Sequence, residues 1–169
     1  MYQRILVPID GSEASKRGVR EAVDLAKSQN SRLRFLHIVN EHVLESDYCL
    51  GTYAGNLVES MRKWGERVLS DADSVAKTAG VEYDSVMVES IGETAADAIL
   101  RQALSWSANL IVMGTHGRRG LRRLAMGSDA ESVVRQTAIP VLLVHHTPVV
   151  QPAAYPLISR DVNEAYVYA

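Results

Sequence analysis

Four short runs of Val, Ile and Leu, at 5–9, 33–39, 110–113 and 141–144, constrain the fold more than any other feature of this chain. Each is rich in Val, Ile or Leu and bounded by polar or turn residues. A strand that is apolar on both faces has to be covered on both faces, as strands of parallel sheets are. A fifth segment, 83–88, alternates apolar and polar residues and reads as a more exposed strand. Helical periodicity fills the intervals. The first helix is expected over about 12–30, with Val19, Ala22, Val23 and Ala26 on one stripe. In the second, Leu57, Met61, Trp64, Val68, Ala72, Val75 and Ala79 recur at steps of three and four before Gly80, and read as one inward-facing core stripe. The third is expected over about 93–106, with Ala95, Ile99 and Trp106 inward. The fourth is expected to begin at Ser128, with Ser128 and Glu131 as an S-x-x-E capping box. It continues through Val133, Val134 and Ala138 and stops at Ile139-Pro140, because the residue before proline disfavours helix.

The order β-α-β-α-β-α-β-α-β predicts an α/β fold: a single-domain, doubly wound, five-stranded parallel sheet with helices on both faces. Five strands are too few for an eight-stranded barrel. The 169 residues suit one domain, expected over 1–146, followed by a C-terminal extension over 147–169. That extension carries Pro148, Pro152 and Pro156 with Tyr155, Tyr166 and Tyr168, and is expected to pack on its own domain or on another subunit. A long polar connection, 40–56, follows the second strand.

A net charge of −2 gives no global attraction to nucleic acid or acidic membranes. The single cysteine, Cys49, cannot form an intrachain disulfide, and no Cys/His set has zinc spacing. Both fit a cytoplasmic protein. The first apolar run breaks at Pro8 and Asp10, too soon for a signal-peptide core, and no stretch nears the roughly 20 apolar residues that span a bilayer.

Ligands of open α/β sheets sit beyond the carboxyl ends of the strands, where the strand order reverses. Two strand ends here carry suitable chemistry: Pro8-Ile9-Asp10-Gly11-Ser12 and Gly114-Thr115-His116-Gly117. Glycines let backbone N–H groups approach phosphate oxygens, and the loop from Gly114 runs to Gly127-Ser128, where a helix begins with its positive dipole end outward. Four of the 18 Lys and Arg residues lie between Gly114 and Ser128, and no Asp or Glu does. Spacing alone supports an anion site, against the plainer alternative of a basic surface loop. No Gly-Lys-Ser/Thr is present, so it is not a Walker A loop, and it is not the dinucleotide G-x-G-x-x-G fingerprint.

Three segments together resemble the universal stress protein family: Val7-Pro8-Ile9-Asp10-Gly11-Ser12; the spacing G-x2-G-x9-G-S at Gly114, Gly117, Gly127 and Ser128; and Ala138-Ile139-Pro140-Val141-Leu142-Leu143-Val144. The resemblance covers about 2–146. The intact glycine pattern resembles the family's ATP-binding branch, which implies ATP as ligand, with magnesium reaching the site through the phosphates. It further implies that Pro8 and Ile9 line the adenine side and that Asp10 meets the ribose or a magnesium-bound phosphate. Val39 would hydrogen-bond adenine through its backbone, and Met113 and Gly114 would lie against the nucleoside. Gly117 and Arg118 would present amides to the phosphates, with Gly127, Ser128 and Asp129 closing on them. It implies, too, a homodimer paired through the last strand, and leaves a tetramer open.

Each residue has a plainer reading. Asp10 could be a carboxylate favourable to the dipole of the first helix. His116 has no visible catalytic partner and reads as a solvated loop histidine; Arg122 and Arg123 could merely decorate the surface. His145-His146 is not a metal site by itself, and Cys49 reads as an unused thiol. No catalytic set is evident. The expected function is therefore a nucleotide-sensitive, homo-oligomeric stress regulator. The alternatives are slow ATP hydrolysis, or an interaction module with no nucleotide. Nucleotidyl transfer is disfavoured, because Asp10-Gly11-Ser12-Glu13 carries neither a HIGH-like nor an SGGxDS-like motif.

Overall fold

The computed structural model describes residues 2–40, 52–90, 92–115 and 126–145. Along them run β1 (Arg4–Pro8), α1 (Glu13–Gln29), β2 (Arg32–Asn40), α2 (Thr52–Ala79), β3 (Tyr83–Ser90), α3 (Ala95–Ser105), β4 (Leu110–Gly114), α4 (Ser128–Gln136) and β5 (Val141–Val144). All strand pairings are parallel and the sheet order is β3-β2-β1-β4-β5. The expected α/β fold is therefore present, with its order reversing between β1 and β4.

Alternation along the strands divides the core into two layers. Ile5, Val7, Ile9, Leu33, Phe35, Leu110 and Val112 point to the face covered by α1 and α2, where they meet Val19, Val23, Val68, Leu69 and Ala76. Leu6, Leu36, Ile111 and Met113 point the other way, to Ala96, Ile99 and Ala103 of α3 and Ala130 and Val133 of α4. β1 and β4 are buried on both sides, which is why their sequences show no polar alternation; β2 carries an exposed Arg32 and a half-buried Arg34, both paired with Asp84 of β3. The edge strand β3 is half-buried over most of its length, as its alternating pattern predicts.

The helix ends follow local chemistry. Ser12 caps α1, accepting from the Ser15 N–H at 3.2 Å, and Asn30 closes it in the left-handed conformation at φ 55. Thr94 and Asp97 form a reciprocal capping box that starts α3 at Ala95, two residues later than expected.

Two expectations are corrected. The Ser128–Glu131 capping box does not form. Gly127, at φ −62 and ψ 148, is the N-cap of α4 and gives no side-chain cap hydrogen bond. Ser128 is thus the first helical residue, one position too late to cap, and Glu131 pairs instead with Arg135 at 2.8 Å. The helix also stops at Gln136, before Pro140, leaving Val134 and Ala138 exposed. The second correction concerns α2. Its buried side is Gly65, Val68, Leu69, Ala72 and Ala76, whereas Leu57, Trp64 and Val75 are 46%, 38% and 37% exposed. Trp64 packs against Gly11, just past the end of β1.

Candidate functional site

Open α/β sheets form a ligand crevice beyond the carboxyl ends of their strands where the strand order reverses, as it does here between β1 and β4. These strands are paired in register, Ile5 with Leu110 and Leu6 with Ile111, so they leave the sheet side by side. Pro8, Ile9 and Asp10 end one strand; Met113 and Gly114 end the other. On the far side of β1, pairing with β2 stops at Pro8–Leu36, but β2 continues against β3 to Asn40–Ser90. Val39 therefore stands past the end of β1, on the border of the crevice.

The first segment is held tightly. The Ile9 N–H donates to the Leu36 carbonyl at 2.8 Å, and the Ser12 N–H donates to Asp10 Oδ1 at 3.0 Å. That turn sets the half-buried Asp10 carboxylate at the mouth of the crevice, two residues ahead of the α1 cap. Pro8, Ile9, Val39 and Met113 are buried. The Ile9 side chain belongs to the layer under α1 and α2 and that of Met113 to the opposite layer, so at these two positions the backbone is what a ligand would meet.

The second segment returns to the same place. The Gly127 N–H donates to the Thr115 carbonyl at 2.8 Å, which ties the start of α4 to the end of β4. The Thr115 N–H in turn donates to the Val144 carbonyl at 2.9 Å, and Thr115 Oγ1 lies 3.0 Å from His145 Nδ1. With Gly127 as N-cap, the first intrahelical bond of α4 is the Glu131 N–H to the Gly127 carbonyl at 2.9 Å. The amides of Ser128, Asp129 and Ala130 thus have no acceptor within the helix, and the N-cap Gly127 gives them no side-chain hydrogen bond. An anion at that point would be met by oriented N–H groups and the positive end of the helix dipole.

The structure thereby brings Pro8, Ile9, Asp10, Val39, Met113, Gly114, Gly127, Ser128 and Asp129 to one edge of the sheet. Gly117 and Arg118 lie outside the described residues, as do His116, Arg122, Arg123, Cys49, His146 and the segment 147–169. Gly114 has a packing role that spacing did not reveal. A Cβ there would stand 2.9 Å from Ala14 Cβ and 3.0 Å from both the Ala14 carbonyl carbon and the Ser15 nitrogen. Sequence reasoning also missed two rings behind Asp10, His37 and Trp64. The available signal was Gly65, a glycine inside a long helical pattern.

Among the described residues no group of three or more His, Cys, Asp or Glu side chains gathers as a metal site, and no helix is long and apolar enough to cross a membrane.

The universal stress protein family model matches residues 1–145. The universal stress protein YxiE of Bacillus subtilis is 31% identical over 150 residues, covering 85% of this chain and 99% of its own. A solved structure from the universal stress protein family of Burkholderia pseudomallei is 32% identical, with a TM-score of 0.70 over 85% of this chain and 96% of that one. Another, a universal stress protein in complex with cAMP, is 25% identical, with a TM-score of 0.61 over 85% of this chain and 97% of that one.

Proposed function

The chain belongs to the universal stress protein family, and from that premise we propose that it is a regulatory protein that binds an adenine nucleotide, with ATP as its ligand. One observation carries this reading: the Asp10 turn and the uncapped start of α4 meet at the crevice between β1 and β4, the first offering a carboxylate and the second amides. A carboxylate suits ribose hydroxyls or a phosphate-bound magnesium ion; helix N-terminal amides suit phosphate oxygens. The relative solved with cAMP binds the same class of base. In this reading Pro8, Ile9, Val39, Met113 and Gly114 border the nucleoside, and Gly117, Arg118, Gly127, Ser128 and Asp129 hold the phosphates.

Binding, rather than turnover, is the role of this site in our reading, since it offers donors for phosphate at the start of α4; any hydrolysis is slow. The nucleotide acts by biasing association of the chain in the cytoplasm. The partner is a second copy of the chain, joined through β5, an edge strand whose Leu142 is 40% exposed. The nucleotide-binding domain is 1–146, and 147–169 extends the subunit contact.

Calorimetry with ATP and magnesium, and identification of nucleotide released from the purified protein, test the reading. Micromolar or tighter binding is expected, weakened at least about tenfold in Asp10→Ala, as for loss of one charge-assisted hydrogen bond. No heat of binding and no adenine nucleotide in the extract would sink it. Sizing the protein with and without residues 147–169, in the presence and absence of ATP, tests the association.

A further inference from the structure

Gly65 is out of place on helix propensity alone. Glycine inside a helix costs about 1 kcal/mol relative to alanine, yet Gly65 lies buried near the middle of α2. What its missing side chain admits is His37. A Cβ at position 65 would overlap Cδ2 of His37 and stand 3.0 Å from its Nε2. The His37 ring is 3% exposed, and its Nδ1 lies 2.8 Å from the Ile9 carbonyl oxygen. A carbonyl only accepts, so Nδ1 carries the proton and donates it. The pairing of β1 with β2 has ended at this point, beyond the bond from the Ile9 N–H to the Leu36 carbonyl. His37 thus continues, from a side chain, the support that strand pairing gives the residues before.

The next carbonyl has a ring partner of its own. Trp64, the neighbour of Gly65 on α2, directs its indole N–H at the Asp10 carbonyl, with the nitrogen 3.4 Å from the oxygen. The indole fits there because residue 11 is glycine. Gly11 has φ +84, and a Cβ on it would stand 2.9 Å from both Trp64 Cζ2 and Val68 Cγ2. Two consecutive carbonyls at the end of β1 are therefore held by two ring N–H groups, one from β2 and one from α2. The Asp10 carboxylate then folds back to accept the Ser12 N–H at 3.0 Å.

We propose that His37 and Trp64 are positioning residues: seated by Gly65 and Gly11, they fix the Ile9 and Asp10 peptide units and so aim the Asp10 carboxylate into the nucleotide crevice. The nucleotide reading above supplies what Asp10 meets; the holding of the turn stands independently of it. A carboxylate on a fixed peptide loses less freedom when ligand arrives, and that difference appears as affinity.

The test uses the full chain with two readouts, hydrogen exchange at the Ser12 amide without nucleotide and affinity for ATP with magnesium. His37→Phe keeps a planar ring and removes the donor; His37→Asn offers an amide N–H close to where Nδ1 stands. In folded His37→Phe, exchange at Ser12 is expected about tenfold faster and ATP binding about tenfold weaker, the scale of one lost hydrogen bond. His37→Asn recovers most of both. In an Asp10→Ala background, His37→Phe weakens ATP binding no further, because the two residues act as one unit. Unchanged exchange at Ser12, or an affinity loss that adds in full to that of Asp10→Ala, overturns the proposal. If the unaltered protein binds no ATP, the nucleotide reading falls, and exchange at Ser12 still decides whether His37 holds the turn. Should His37→Phe not fold, Gly65→Ala, which displaces the ring, and Trp64→Phe, which removes the indole donor, give the same two readouts.

Discussion

At the scale of single residues, Gly114 has two claims on it. Its place at the end of β4 and in the glycine spacing pointed to a ligand, but the room around it is taken by protein. A Cβ there meets Ala14 Cβ at 2.9 Å and the backbone of Ala14 and Ser15 at 3.0 Å. Backbone cannot rotate aside as the end of a long side chain can. Gly114→Ala is therefore expected to lower unfolding stability by about 1–3 kcal/mol through overpacking, measured by denaturant titration without nucleotide. A loss under about 0.5 kcal/mol, the range of an unconstrained surface position, would refute the packing role. Asp10 was legible because its position after an apolar run fixes it at a strand end. The packing duty of Gly114 was not, because it depends on where α1 crosses β4, which no local pattern encodes. The same holds for His37, whose burial follows from the approach of Gly65 across the sheet.

At the scale of elements, the strands were the most readable. A Val/Ile/Leu run between turn residues has few other uses, and the edge strand β3 differed from the others by its alternation. Helix faces were less readable. The stripe through Leu57, Trp64 and Val75 has the right spacing, but the buried face of α2 is offset from it, through Gly65, Leu69, Ala72 and Ala76, and steps of three and four fit either set. The start of α4 at Ser128 was legible, but its cap was misplaced by one residue, because Gly127 and Ser128 are both acceptable N-caps and S-x-x-E favours the second. The shift bears on function, since it leaves the first turn of α4 without a side-chain cap. It also separates two roles of Gly127. With φ −62 and ψ 148 its backbone suits any residue, so the glycine is not needed for conformation. Gly127→Ala is expected to lower unfolding stability by about 0.5–1 kcal/mol, as for replacing an acceptable N-cap residue by a poor one. It is expected to weaken ATP binding about tenfold or more, because a methyl group intrudes where phosphate approaches the backbone. Calorimetry beside thermal unfolding tells these apart; a variant that binds ATP normally would show that the start of α4 is not the phosphate site.

At the scale of the whole molecule, the sheet order decides what the strand ends can do together. In the order β3-β2-β1-β4-β5, the crossovers after β1 and β4 leave toward opposite faces: α1 packs in one layer and α4 in the other. The two connections part over the crevice, and each helix presents its N-terminus beside it. Alternation of strands and helices made a doubly wound sheet with a switch point legible, but the strand order that puts β1 beside β4 was not, nor were the side-chain supports behind Asp10. The layout also has a thermodynamic consequence. The crevice exists only while β1, β4 and the start of α4 are assembled, so its ligand binds the folded chain and not the unfolded one. Linkage then requires nucleotide to stabilise the fold, by about 2.7 kcal/mol when free ligand is 100-fold above its dissociation constant. Thermal unfolding with increasing ATP should show a midpoint that rises with the logarithm of concentration, and GTP at equal concentration should shift it less. The Asp10→Ala chain should need a higher ATP concentration for the same shift, in proportion to its weaker affinity. Equal shifts with ATP and GTP, or with the unaltered and Asp10→Ala chains, would mean that the stabilisation comes from phosphate charge at large rather than from the crevice between β1 and β4.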